Sequence, residues 1–254
     1  MTTESLTHTS APISITAAWG AIAGIVSYQI LLIVLIFLRP DLDPSWHTIS
    51  EWAIGRYGWM MSAGFLISAA SYAALFMMLR SQVKSVIGRV GLGILLMCVI
   101  GAFGVGICTT DPMPIHPPLS GRGTLHVIFG TSQLVLLPFA ALFINIGLTR
   151  KNEIWARSRW VLLWTAGLPL FGFSAFVLYS AIFLFPMGPQ AYGPGVNIGW
   201  PPRFAFFTYM LWVVTLAWQG IRCSRPDRAV AGLNRKIQYD RKNSVVSVSS
   251  AMRK

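Results

Sequence analysis

The sequence predicts an all-α polytopic membrane protein: a bundle of six transmembrane helices with both termini cytoplasmic. Three observations carry that prediction. Of 254 residues, 54% are hydrophobic and only 11% are charged, whereas a soluble domain carries about 25% charged residues. Six apolar runs are long enough for a hydrocarbon core, which takes about 20 residues of helix. The basic residues crowd into alternate connections and the C-terminal tail.

The six runs cover roughly 17–38, 57–79, 88–109, 123–148, 158–185 and 201–221. None has a charge at its middle. The polar residues within them, such as Ser132, Gln133, Asn145, Tyr179 and Gln219, read as partners in helix–helix hydrogen bonds. A transport path usually shows ionisable residues inside the spans or broken helices at the midplane. Small residues in "SAGFLISAASYAA" and "GLGILL…IGAFGVG" allow close helix contact. The chain thus divides into a cytoplasmic N-terminal segment (1–16), a six-helix transmembrane domain (17–221) and a basic cytoplasmic tail (222–254) expected to be disordered. No Lys or Arg precedes Arg39, so the first run lacks the basic start of a secretory signal and is read as a retained span.

The formal net charge of +12 would suit nucleic acid, but its distribution points to topology. Sixteen of the twenty Lys and Arg residues fall on one side: Arg80, Lys84 and Arg89, then Arg150, Lys151, Arg157 and Arg159, then the tail. Only Arg39, Arg56, Arg122 and Arg203 fall on the other. The positive-inside rule makes the first side cytoplasmic. Nucleic acid is not an expected partner; membrane lipids are, with a membrane-protein partner as a second class.

The outer side holds the chemistry-bearing residues. "RPDLDPSWHTISEW", Arg39 to Trp52, contains three of the eight acids and one of the four histidines. Asp43-Pro44 is a helix start, since Asp caps free N–H groups and Pro fits the first turn. A helix from Pro44 to about Ala53 would set His47 and Glu51 on one face. The second outer connection brings Asp111, His116 and His126. A histidine opening a span gains nothing as a cation from the helix dipole. As a neutral ring it can donate one hydrogen bond and accept another, or bind a metal. The third outer connection is proline-rich and acid-free, a semi-rigid cover. Arg203 beyond it can pair with an outer carboxylate or a lipid phosphate, or simply snorkel to the headgroups.

These residues support three readings. The first is a lipid- or partner-binding bundle with an outer polar cluster, with Asp43, His47, Glu51, Asp111, His116, His126 and Arg203 as binding candidates. The second is a membrane-embedded metal-dependent hydrolase or transferase, with His47, Ser50, Glu51, Asp111 and His126 as catalytic candidates. There His47, His116 and His126 could ligate zinc or another divalent metal and leave a water position open. Otherwise no cofactor is expected, and no HExxH signature is present. Ser50 is an alternative nucleophile whose base is not visible in sequence. The third reading is a small-molecule transporter. The cysteines, Cys98, Cys108 and Cys223, form no disulfide framework.

The segment "HTISEWAIGRYGWMM" leading into the second span, and "TTDP…GTLH" between the third and fourth, resemble the bacterial membrane proteins grouped as domain of unknown function 998. The "HTISE" segment is also distantly similar to the Frag1/DRAM/Sfk1 membrane proteins. The resemblance covers most of the chain to about residue 222 and singles out His47, Ser50, Glu51, Asp111 and His126. It implies six spans in a bacterial cytoplasmic (inner) membrane, and no established activity.

Overall fold

The computed structural model describes residues 12–113 and 118–224. His116, most of the N-terminal segment and the tail from 225 onwards lie outside the described residues, and so do the expectations placed on them.

Among the described residues, six helices are long and apolar enough to cross a membrane. They are α1 (Ile15–Leu38), α2 (Gly58–Leu79), α3 (Val86–Ile107), α4 (Gly121–Lys151), α5 (Arg159–Tyr179) and α6 (Trp200–Ser224). A π turn, Ser180–Leu184, and a 3-10 segment, Phe185–Gln190, extend α5 on its outer side. A serine side chain caps three of the six. Ser14, Ser85 and Ser120 each accept a bond from an N–H of the first turn, those of Ala17, Gly88 and Gly123, which satisfies a donor the helix cannot satisfy itself.

Large apolar side chains face outward, among them Phe37 and Trp164, each 78% exposed. In water such a surface would aggregate; in lipid it is solvated. Association between spans therefore cannot rest on the hydrophobic effect and relies on close packing and polar bonds. The structure shows both. α1 packs on α2, α2 on α3, α3 on α4 and α4 on α5. Gly88 and Gly147 meet so closely that a Cβ on Gly147 would lie 2.5 Å from the Gly88 Cα. Ser85 Oγ donates to the Gly147 carbonyl at 3.2 Å in the same contact. Ser71 Oγ donates to Ala21 O at 2.6 Å and joins α2 to α1.

Helix α4 takes part in most of the polar bonds between spans. Tyr209 donates to Leu134 O at 2.7 Å, and Trp212 Nε1 to Asn145 Oδ1 at 3.3 Å. Asn145 Nδ2 donates in turn to Leu162 O at 2.6 Å. Ser158 donates to Gln219 Oε1 at 3.1 Å, and Gln133 Nε2 to the Tyr72 hydroxyl at 3.4 Å. Gln133, Asn145 and Gln219 are thus helix-to-helix partners, as their sequence context predicts. Ser132 bonds back to Phe129 O on its own helix. None of the three cysteines is in a disulfide.

Candidate functional site

The first outer connection is organised by Arg39. Its guanidinium holds Asp41 at 2.7 Å and donates to Ile54 O at 2.7 Å and Arg56 O at 2.9 Å. The rigid fork of donors closes the connection into a loop. The Arg39 guanidinium holds the Asp41 carboxyl below the usual carboxylate range.

The expected helix from Pro44 to Ala53 does not form, and this corrects the placement of His47 and Glu51 on one helical face. Residues 44–46 make turns, and only Ile49–Ala53 is helical, as a 3-10 helix. The cause is a second, better start. Asp43 spends its carboxylate on the Ser45 N–H at 2.8 Å, which lowers its pKa. His47 N–H then closes on Asp43 O at 3.0 Å. Thr48 is the N-cap instead, and its N–H donates to Glu51 Oε2 at 2.5 Å. That is the reach-back of a capping box. His47 is left outside the helix, its ring 3.7 Å from that of Trp46 and its Nδ1 3.0 Å from Asp43 O.

Glu51 is buried, and its other oxygen is also taken: Tyr192 donates to Oε1 at 2.5 Å. Burial, and then the bond to Glu51, raises the Tyr192 pKa, so the phenol stays a donor. Arg203 makes no ion pair among the described residues. It donates to His47 O at 2.9 Å and Gly199 O at 2.8 Å and lies 4.5 Å from the Trp52 ring centre. Its role is to clip the third connection to the first, with a cation–π contact underneath.

Asp111 accepts from Ser120 N at 2.8 Å and Ser120 Oγ at 2.5 Å. These bonds lower its pKa. Asp111 therefore fastens the second connection to the start of α4.

The remaining pair is Ser50 and His126, which stand 76 residues apart and are joined by a 2.7 Å bond from Ser50 Oγ to His126 Nε2. His126 Nδ1 lies 2.6 Å from Cys108 O. A carbonyl oxygen can only accept, so Nδ1 carries the ring hydrogen. In the neutral ring Nε2 is then the acceptor, and the Ser50 hydroxyl donates to it. Three elements deliver the parts: the 3-10 helix, the end of α3 and the start of α4. The Phe65 ring lies edge-on to the imidazole at 6.3 Å.

Ser50 and His126 open onto a cavity of about 310 Å³. Its polar lining is Thr48, Ser50, Thr110, His126, Thr131 and Gln133; the rest is apolar, with residues such as Val105, Leu134, Phe176 and Phe206 from four helices. Ligand pockets begin at about 300 Å³ and combine an apolar lining with a few convergent polar groups.

The predicted outer cluster is therefore several arrangements. Ser50 and His126 meet; Glu51 serves Thr48 and Tyr192; Asp43 and Asp111 each close a local turn or cap. Among the described residues, no group of three or more His, Cys, Asp or Glu side chains could hold a metal ion. Sequence reasoning missed Tyr192, whose connection has no periodicity to place it, and the Cys108 carbonyl, a backbone group with no residue signature. The Thr48-to-Glu51 spacing did carry a capping-box signal.

Among the described residues, the architecture is that of a six-span, helical integral membrane protein with a mostly apolar pocket that carries a few polar groups. A family model described as "Protein of unknown function (DUF998)" matches residues 22–219, and the chain belongs to that family. No curated protein and no solved structure matches it.

Proposed function

We propose that this protein binds a membrane lipid in the bacterial cytoplasmic membrane, with both termini inside and the pocket at the outer leaflet. The carrying observation is the cavity of about 310 Å³, mostly apolar in its lining and bearing the hydroxyl and imidazole groups of Thr48, Ser50, Thr110 and His126. An acyl chain gains little by leaving bilayer hydrocarbon for an apolar pocket, since lipid tails are as apolar as Leu. Selectivity must come from the polar lining, where hydroxyl and imidazole groups meet an ester or headgroup oxygen. The charge asymmetry of the sequence supports the orientation.

The test is native mass spectrometry and lipid extraction on the full chain in mild detergent, beside Gly130→Leu. Gly130 lines the cavity, and its Cβ would sit 3.6 Å from Val105, with room for a methyl but a longer side chain filling the space. A lipid held by the wild type and lost from a folded Gly130→Leu supports the reading. Equal retention by both proteins, or none by the wild type, overturns it.

A further inference from the structure

We propose that Ser50 is a nucleophile and His126 its general base, giving an acyl-ester hydrolase set in the membrane; the substrate class rests on the lipid-binding reading above. The geometry is that of an activated serine: nucleophile and base within hydrogen-bond reach, and the base held by a third group. Ser50 Oγ and His126 Nε2 are 2.7 Å apart, and Cys108 O fixes the ring from the other side at 2.6 Å. Both side chains line the cavity, so an ester carbonyl held there would lie against Ser50 while its acyl chain packs on the apolar lining. The third group is a carbonyl where a familiar triad has a carboxylate. It sets the tautomer but lends less support to an imidazolium, which predicts slow turnover. Glu51 and Asp111 are committed to other partners.

In the first step Ser50 Oγ bonds to the ester carbonyl carbon and its proton passes to His126 Nε2. The adduct collapses, the ester C–O bond breaks, and the proton on Nε2 goes to the departing alcohol oxygen. In the second step water attacks the acyl-Ser50 carbonyl and gives a proton to Nε2. The bond to Ser50 Oγ breaks, the fatty acid leaves, and that proton returns to Oγ.

The test is labelling of the purified full chain in detergent with a fluorophosphonate, read by intact mass and peptide mapping. The expected result is one adduct on Ser50, absent in Ser50→Ala and at least about 100-fold slower in His126→Gln. Ser50→Cys is a second measure: its thiol should alkylate at neutral pH, and the added His126→Gln should slow that reaction. No wild-type adduct on Ser50 while a serine hydrolase control reacts fully, or equal rates with and without His126, overturns the proposal. Native mass spectra of the same samples separate the two readings. Bound lipid without labelling leaves lipid binding standing and removes the nucleophile; labelling of Ser50 without bound lipid does the reverse.

Discussion

The Tyr192 hydroxyl donates to Glu51 Oε1 at 2.5 Å across a sequence separation of 141 residues. One bond thus holds the proline-rich third connection against the 3-10 helix that carries Ser50. Tyr192→Phe removes the donor and leaves a buried carboxylate oxygen unsatisfied. The expected loss is about 1–3 kcal/mol, read as a lower thermal midpoint in detergent, with earlier proteolysis within residues 185–199. An unchanged midpoint and cleavage pattern would show that the bond does not hold the cover.

Arg39 and Asp41 should behave very differently although they form one ion pair. Arg39 is buried and also satisfies two carbonyls, whereas the Asp41 side chain is 60% exposed. Asp41→Asn should cost under about 1 kcal/mol, as an exposed pair does. Arg39→Lys should cost more, because one ammonium cannot span the fork-shaped set of acceptors. Thermal melts of the two variants check the order.

The contact of α3 with α4 gives a matched pair of glycine tests. Gly147→Ala puts a Cβ 2.5 Å from the Gly88 Cα, where only backbone can yield, so the helices must part. Overpacking of that kind costs about 1–3 kcal/mol. Gly93→Ala meets nothing within 4 Å and should be neutral or slightly stabilising. Size-exclusion profiles and melting in detergent distinguish the two.

Asp111 ties acid stability to the start of α4. Its bonds from Ser120 hold the folded pKa below the ordinary carboxylate value of about 3.9. A depressed folded pKa stabilises above the unfolded value and is lost as pH falls through the folded one. The wild type should therefore lose stability below about pH 4, and Asp111→Asn should flatten that part of the profile. A mutant profile parallel to the wild type would remove Asp111 from the account.

Orientation can be read directly on cells. In a background with Cys98, Cys108 and Cys223 replaced, Asp43→Cys should react with a membrane-impermeant maleimide from outside. Lys84→Cys should react only after permeabilisation. Asp43 and Lys84 are both exposed, so access depends on the side of the membrane alone. The opposite pattern would invert the topology.

The amino-acid sequence by itself determined the six spans and where they start and stop to within a few residues. It also assigned Gln133, Asn145 and Gln219 to bonds between helices. Hydrocarbon imposes these features residue by residue, since every backbone polar group must be satisfied within its own helix. Tertiary structure alone decided the site. Asp43 reads in sequence as the cap of a helix at Pro44, yet it closes a turn on Ser45, and Glu51 takes a bond from Tyr192, 141 residues away. The pairing of Ser50 with His126 depends on how a short 3-10 helix sits against the junction of α3 and α4. Spacing along a chain carries no record of such a meeting, because it is fixed by packing between segments far apart in sequence.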